Sequence, residues 1–324
     1  MGRFVMIFTL LLIFYGVNVG SVAVHAQPYP NRIIRIIDSF DPGTTGDITG
    51  RQLADDLKKI IGEQVIVINK PGASMNVGAD AVAKSKKDGY TIGYTAGSAM
   101  LYSKAMNPET VPYDPFNDLE PLGVHVFFSN ILVVQESSPW KTFPQFINYA
   151  KANPEKIRVG TIGMGTTPHF CLALLETLTG NQLTHIPLKG GQAVVTSILG
   201  GHLECIITAP SQALSHIENG KLRALLTSKK MPQLPTVPTM VELGYKQDLF
   251  SAWFALYAPA GIPEEARKVL IPAIEKAVKT PESKPKMEKL GFIVEYRSPQ
   301  EQGKMMKEEF ESANSISLKL GLRN

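Results

Sequence analysis

The chain has 324 residues, of which 44% are hydrophobic and 19% are charged, a balance typical of globular proteins rather than of disordered or membrane-spanning ones. The formal net charge is only +4 at pH 7, and the basic residues are scattered instead of forming a stripe with aromatic residues, so nucleic-acid binding is excluded. At this length a single core usually stops growing, which predicts two domains.

The N-terminus differs in composition from the rest of the chain. Arg3 supplies a lone positive charge, Phe4–Tyr15 is almost wholly apolar, and Val24 and Ala26 place small residues where a signal peptidase cleaves. We predict a signal peptide over residues 1–26 and a secreted mature protein. The alternative is a retained membrane anchor, but the apolar run is shorter than the ~20 residues that a spanning helix needs.

The first third of the mature chain alternates apolar, β-rich runs with amphipathic stretches. In chain order, we predict a strand at 33–37, a helix at 46–61, a strand at 65–68, a helix at 79–83 and a strand at 90–94. Gly62 follows the first helix, and glycine tolerates the left-handed conformation that ends many helices. The alternation favours a parallel sheet covered by helices.

The middle of the chain repeats this order. The predicted strands are 131–134, 157–160, 184–186, 203–207 and 222–227, and the predicted helices are 142–152, 166–178, 192–199 and 211–219. Gly200 and Gly201 precede the fourth of these strands, and Gly220 closes the fourth helix. Thr166 and Pro168 indicate a helix start, because the threonine hydroxyl can cap the first turn and a proline in the first turn gives up no hydrogen bond.

A proline-rich stretch at 231–238 interrupts the alternation before one more predicted strand at 253–257. The chain from Pro263 onward is predicted to form three helices that pack on the first domain. The predicted lobes are residues 27–128 plus 250–324 for lobe 1, and residues 129–249 for lobe 2. The backbone then crosses twice between the lobes, and such clefts close on ligands by hinge motion.

Two loops that follow a strand and open a helix are the candidate binding segments. One is Phe40–Asp47, and the other is Gly160–Thr167 in the other lobe. Both combine glycines and hydroxyls with the first N–H groups of a helix, whose partial positive charge suits a carboxylate. Ligands of open α/β sheets gather at such strand ends. The alternative is that these residues are ordinary helix caps and that Asp47 is only a charge in the first turn of the helix.

Signatures of cofactors, metals and catalysis are missing from the sequence. Cys171 and Cys205 have no metal-binding spacing, and their apolar neighbours favour unpaired core thiols over a disulfide. Pro168 stands where a dinucleotide fingerprint needs its third glycine. There is no nucleophile elbow, P-loop or HExxH motif. We therefore expect a non-enzyme without cofactor or metal, and among the histidines only His169, beside the second loop, is a candidate site residue.

Short motifs spread over nearly all of the mature chain form a specific pattern. They are residues 30–37, 40–47, 69–73, 76–79, 88–91, 112–115, 184–187, 189–190, 200–201, 220–225, 237–239 and 258–261. In this order they resemble the periplasmic solute receptors of tripartite tricarboxylate transporters, also called the Bug family. The resemblance implies a periplasmic, monomeric receptor whose partners are a small carboxylate and the subunits of a membrane permease.

The resemblance also implies the fold and the site. The fold is the α/β type II periplasmic-binding-protein fold, with a ligand cleft between two lobes in which main-chain N–H groups, hydroxyls and waters hold a carboxylate. The expected ligand-binding residues, with His169 added, are Phe40, Asp41, Thr44, Thr45, Gly46, Asp47, Ser98, Gly163, Met164, Gly165, Thr166, Thr167, His169, Lys189 and Thr208.

Several positions depart from the family pattern. Thr44 and Thr45 replace glycines, and Ser74 and Met75 replace a Gly-Gly pair, so added side chains narrow the pocket and displace water. Thr208 stands where an acidic residue is frequent, and a buried ammonium group would lack its counter-charge there. A plain mono- or dicarboxylate, aliphatic or aromatic, fits these departures better than an amino acid.

Two other functions share these features. A sensory adaptor would bind the same ligand but act on a signalling protein, and the sequence does not separate it from a transporter receptor. An enzyme of the same fold acting on a small acid is the third alternative. Such an enzyme would convert the bound acid, whereas either receptor would release it unchanged.

Overall fold

The computed structural model describes residues 28–323, so the predicted signal peptide lies outside the described residues. The strands are β1 Ile34–Asp38, β2 Val65–Asn69, β3 Thr91–Ala96, β4 Leu119–Phe128, β5 Ile131–Gln135, β6 Arg158–Thr161, β7 Thr184–Pro187, β8 Cys205–Thr208, β9 Leu222–Thr227, β10 Ala252–Pro259 and β11 Ile293–Arg297. The α-helices are α1 Thr45–Ile61, α2 Asn76–Ala83, α3 Gly97–Met106, α4 Phe143–Ala152, α5 Thr167–Thr179, α6 Gly191–Leu199, α7 Pro210–Glu218, α8 Glu264–Val278, α9 Lys284–Lys289 and α10 Pro299–Lys319.

The strands form two sheets. The sheet of lobe 1 has the order β11-β4-β10-β3-β1-β2, and the sheet of lobe 2 has the order β7-β6-β8-β5-β9. Strands β1, β2 and β3 are parallel to one another, as are β6, β7 and β8. The predicted alternation of strand and helix therefore gives parallel strands in both sheets, and in each sheet their carboxyl ends meet at one edge.

Helix α1 shows how the sequence determines an element. The Thr44 hydroxyl accepts a hydrogen bond from the Asp47 N–H at its start, and Gly62 ends it with φ of 85°. Leu53 and Leu57 are buried on its inner face, and full burial of each leucine contributes about 1.5–3 kcal/mol. The cap, the spacing of the apolar residues and the terminal glycine therefore all favour the helix that the sequence predicted.

Polar side chains join the two backbone crossings between the lobes. The Ser129 and Thr227 hydroxyl oxygens lie 2.7 Å apart, as do those of Ser228 and Ser251. The Asn130 N–H donates to the Ser228 hydroxyl at 2.9 Å. These bonds hold the crossing segments next to each other, so the lobes share one compact connection.

The C-terminal region differs from the prediction. The sequence predicted only helices after Pro263, but β11 lies between α9 and α10 and pairs with β4. Helix α10, about 30 Å long, does not pack on lobe 1 alone. Its residues Ala313 and Ile316 belong to the same buried cluster as Phe170 and Cys171 of lobe 2, so α10 bridges both lobes.

Both cysteines lie in the core of lobe 2. Cys171 and Cys205 are free and fully buried, which confirms the prediction of unpaired core thiols. Burial raises the pKa of both thiols, because the thiolate would lose its hydration. Neither cysteine is placed to act as a nucleophile.

Candidate functional site

Six helices begin at the carboxyl ends of the parallel strands, three in each lobe. In lobe 1 these are α1, α2 and α3, and in lobe 2 they are α5, α6 and α7. Thr44 caps α1, whereas within residues 28–323 no side-chain hydrogen bond caps the other five. Uncapped helix starts carry partial positive charge and N–H donors, which is the chemistry that binds a carboxylate.

The carboxyl edge of lobe 1 contains a cavity of about 370 Å³. Its lining residues are Ser39, Phe40, Asp41, Thr44, Thr45, Gly46, Pro71, Gly72, Ser74, Met75 and Phe254. The rings of Phe40 and Phe254 have centroids 4.5 Å apart. A Cβ at Gly46 would lie 2.3 Å from the Phe40 ring, so only glycine allows Phe40 to pack on the start of α1.

Asp47 supports this loop from inside. Its carboxylate accepts hydrogen bonds from the Gly43 N–H at 2.9 Å, the Asn69 amide at 2.8 Å and the Arg51 guanidinium at 3.0 Å. Burial alone would raise the pKa of Asp47, but these three donors lower it below its ordinary value. Asp47 is buried and is not among the cavity-lining residues, so it fixes the loop in place.

Lobe 2 contains a second cavity, of about 240 Å³, at its own carboxyl edge. Its lining residues are Phe128, Asn130, Ile162, Thr167, Pro168, Gly191, Thr208, Ala209, Gln212 and Ala252. The Thr208 hydroxyl is fully buried and has no hydrogen-bond partner in the described part of the chain. A buried hydroxyl without a partner is costly, and this one lies at a cavity wall.

Strand β10 connects the two cavities. Ala252 lines the lobe 2 cavity and Phe254 lines the lobe 1 cavity. Residues two apart on a strand point to the same face, about 7 Å apart. The two cavities therefore lie next to each other along β10, and together they are termed the groove.

A pair of histidines supports the second loop. The Gly165 N–H donates to His169 Nδ1 at 3.0 Å, which leaves the ring proton on Nε2. The His169 ring stacks on His185, with centroids 4.3 Å apart, and His185 Nε2 lies 2.7 Å from the Thr161 hydroxyl. Burial, with the nearby His185, lowers the pKa of His169 to about 4. His169 is thus a neutral acceptor that orders the loop near pH 7.

The second loop also contacts lobe 1. Gly165 has φ of 70°, and a Cβ there would lie 2.9 Å from the Met106 sulfur at the end of α3. Gly163 has φ of 132°, and its carbonyl oxygen accepts a hydrogen bond from the Thr166 hydroxyl at 2.8 Å. Met164 is 56% exposed. The glycines therefore allow a tight turn that presents Met164 to solvent.

The structure brings some of the expected site residues together and leaves others apart. Those lining the lobe 1 cavity are Phe40, Asp41, Thr44, Thr45 and Gly46, and those lining the lobe 2 cavity are Thr167 and Thr208. Asp47, Gly163, Gly165, Thr166 and His169 build the loops. Lys189 is exposed, two residues before Gly191, and lines neither cavity. Ser98 is buried at the start of α3, and its hydroxyl has no partner among the described residues.

Sequence reasoning missed several lining residues. Phe254 was predicted only as part of a crossing strand, and Ala252 lay just before the predicted strand, although the alternation of the observed strand places both on one face. Met75 and Ser74 were noted as departures and not as site residues. Within 28–323, no lysine or arginine lines either cavity, and Asp41 is the one charged side chain that does. An anion here must be bound by N–H groups and hydroxyls.

Two general features narrow the chemistry. No group of three histidine, cysteine, aspartate or glutamate residues in the described chain is placed to hold a metal ion. None of the helices between residues 28 and 323 is long and apolar enough to cross a bilayer. The cavity walls contain hydroxyls, apolar side chains, the Asn130 and Gln212 amides and the Asp41 carboxylate.

Known proteins are similar in sequence to most of this chain. The profile of the "Tripartite tricarboxylate transporter family receptor", TctC, matches residues 49–322. A "UPF0065 protein in gbd 5'region" of Cupriavidus necator is 35% identical over 95% of this chain and 93% of its own length. Protein BugT of Bordetella pertussis is 34% identical over 78% of this chain and 79% of its own.

Solved structures agree on the fold. A TctC solute-binding protein from Polaromonas has a TM-score of 0.83 and 27% identity, covering 90% of this chain and 99% of its own. An R. palustris protein solved with adipate has a TM-score of 0.67 and 26% identity, and the match covers 89% of this chain and 98% of that protein. These neighbours confirm the two-lobed α/β fold of periplasmic binding proteins. The chain belongs to the TctC family of tripartite tricarboxylate transporter receptors.

Proposed function

We propose that this chain is an extracytoplasmic receptor that captures a small organic carboxylate between its lobes and presents it to the permease of a tripartite tricarboxylate-type transporter. The observation that carries the proposal is the groove along β10, which has helix starts of both lobes at its edges and no lysine or arginine among its described lining residues. The proposal includes removal of residues 1–26, a periplasmic location and a monomeric receptor without cofactor.

The donors of the groove suit one carboxylate. A hydrogen bond to a charged group contributes about 1.5–3 kcal/mol, and a helix start adds about 0.3–1 kcal/mol for an anion. The Thr44 cap occupies only the Asp47 N–H, so the Thr45 and Gly46 N–H groups at the start of α1 serve one carboxylate oxygen in this scheme. Thr208 supplies a buried hydroxyl from the other lobe, whose unpaired state a ligand oxygen would relieve. Binding would therefore favour the closed arrangement of the lobes.

The relatives support the ligand class and the role. The R. palustris neighbour was solved with adipate, which is a small carboxylate. The matched family is described as a transporter receptor. A receptor releases its ligand unchanged, so incubation of the protein with a bound acid should return the same acid without product.

A thermal-shift screen tests the proposal directly. The panel contains mono-, di- and tricarboxylates and aromatic acids, and a ligand at 100 times its dissociation constant stabilises the fold by about 2.7 kcal/mol. We expect one or a few acids to raise the melting temperature by several degrees. The absence of any shift across the panel would overturn the proposal.

Two variants locate the site. Thr45→Tyr fills the lobe 1 cavity, so we expect it to abolish the shift while the protein remains folded. Lys58→Tyr places the same exposed aromatic side chain about 20 Å away on the same helix and should leave the shift unchanged. Equal binding by Thr45→Tyr and wild type would place the ligand elsewhere.

A further inference from the structure

The segment before α2 has an unusual backbone. Ala73, Ser74 and Met75 have φ values of 45°, 52° and 75°, so three consecutive residues other than glycine adopt the left-handed region. Such residues cost on the order of 1 kcal/mol each. Glycine would adopt the same angles without this cost.

The surrounding structure holds the strained segment in place. The Asn76 amide donates to the Ala73 carbonyl oxygen at 2.8 Å, and the Tyr113 hydroxyl donates to the Asn76 side-chain oxygen at 2.8 Å. Asn76 and Tyr113 are both buried. The backbone path is thus fixed by its neighbours, and the side chains at 74 and 75 are retained although glycine would fit that path better.

These side chains form part of the cavity wall. Ser74 and Met75 both line the lobe 1 cavity, next to Phe40 and Phe254. Met75 is half-buried and packs against the cluster that contains Phe40, Tyr94 and Phe254. A methionine side chain is flexible and makes favourable contacts with aromatic rings. Met75 therefore completes an apolar surface beside the helix start at Thr44–Gly46.

The charges around the cavity oppose a second acid group. Asp41 lines the cavity, and none of the lysines or arginines described in the structure lines it. A second carboxylate in this cavity would meet the Asp41 carboxylate without a cationic lining residue, and like charges repel each other. An apolar ligand body would instead gain about 25 cal/mol for each Å² buried against Met75 and the two phenylalanines.

We infer that Met75 is a specificity-determining residue that makes this receptor select a monocarboxylate with an apolar body, aromatic or branched aliphatic, over a dicarboxylate. The inference rests on the proposed carboxylate-receptor function and names the substrate class of the same site. The strained backbone at 73–75 aims the apolar wall at the ligand, and Asp41 discourages a second negative charge.

The test compares acids on the full mature protein by isothermal titration calorimetry. Benzoate, phenylacetate and 4-methylpentanoate represent apolar monocarboxylates, and adipate and malate represent dicarboxylates. We expect at least one monocarboxylate to bind wild type ten-fold or more tightly than either dicarboxylate. Tighter binding of a dicarboxylate would overturn the inference and leave the receptor function standing, whereas no binding of any acid would overturn both.

Three variants test the role of Met75. Met75→Gly should weaken monocarboxylate binding about ten-fold while leaving malate binding unchanged, because malate has almost no apolar body to contact the lost wall. Met75→Leu keeps an apolar side chain and should keep the preference. Val77→Ala removes an exposed apolar side chain of α2 that does not line the lobe 1 cavity, so its preference should equal that of wild type. An equal loss of both ligand classes in Met75→Gly, with folding verified by circular dichroism, would refute a selectivity role.

Discussion

Tyr102 of α3 stacks on Phe170 of α5, with ring centroids 4.4 Å apart and planes inclined by 17°. The contact joins a helix of lobe 1 to a helix of lobe 2, and both rings are buried in the same cluster. Cleft motion that separated α3 from α5 would break this stack and expose both rings to water. We therefore expect opening to leave this side of the cleft in contact and to widen the groove elsewhere.

A double-mutant cycle tests the stack. Tyr102→Ala and Phe170→Ala should each lower the free energy of unfolding by about 3–5 kcal/mol. Because either single variant already loses the stack, the double variant should differ from the sum of the two by about 1 kcal/mol. Urea unfolding of the four proteins measures it. The pair Tyr102→Ala and Phe292→Ala, whose second residue lies in another cluster, should show no coupling. Additive effects in the first pair would mean that the rings do not interact.

The Asp47 carboxylate should matter for binding through the loop it holds. Asp47→Ala removes the acceptor of Gly43, Asn69 and Arg51, so we expect a stability loss of about 1–3 kcal/mol and at least ten-fold weaker ligand binding. Asp55→Ala removes an exposed acid on the same helix and is the control. Calorimetric titration with the best acid of the screen gives both affinities, and equal values would show that the loop needs no such support.

Acidification should weaken the support that His169 gives to the second loop. Its folded pKa of about 4 lies below the ordinary 6.5, so the unfolded chain binds more protons and stability falls as the pH drops from 6.5 towards 4. His169→Gln cannot take up a proton in this range and should lose less stability over the same interval. Urea midpoints at pH 7 and pH 4.5 measure the difference. An identical loss in both proteins would indicate that His169 is charged in the fold.

Sequence reasoning located the elements whose pattern is local. Helix α1 and strand β9 were predicted within a residue of their observed bounds because cap, period and turn residues coincide there. Helix α3 was missed because most of its own residues from Ser98 to Ala105 are buried, so it has no polar face to give a helical period. Strand β4 was missed because Pro121 and Gly123 interrupt its apolar run, although both lie within the strand.

The site was predicted only in part for a related reason. Residues of loops that open helices, such as Thr45 and Thr167, are visible from their position after a strand. Phe254 and Ala252 enter the groove because β10 runs antiparallel between β3 and β4, a pairing over long sequence distance that no local pattern contains. Asp47 and His169 were predicted as ligand-binding residues, and in the structure each accepts a hydrogen bond from a backbone N–H of its own loop.

Glu309 should make the protein less stable as the pH rises. It lies on α10, where the Trp253 indole N–H donates to its carboxylate at 2.7 Å. Burial raises the pKa of Glu309 from 4.5 to about 7, against the lowering effect of this bond. Between these two values the folded chain binds more protons than the unfolded chain, so stability is fully present below pH 4.5 and falls as the pH approaches 7.

Glu309→Gln keeps an acceptor for Trp253 but never acquires charge. The difference in unfolding free energy between Glu309→Gln and wild type should therefore shift in favour of the variant by on the order of 1–3 kcal/mol from pH 4.5 to pH 8. Glu308→Gln, an exposed neighbour on the same helix, provides the control, and urea unfolding at the two pH values gives the comparison. If Glu309→Gln follows the wild-type pH profile, then the carboxylate is ionised at its ordinary pKa and the region around Trp253 is more hydrated than its burial indicates.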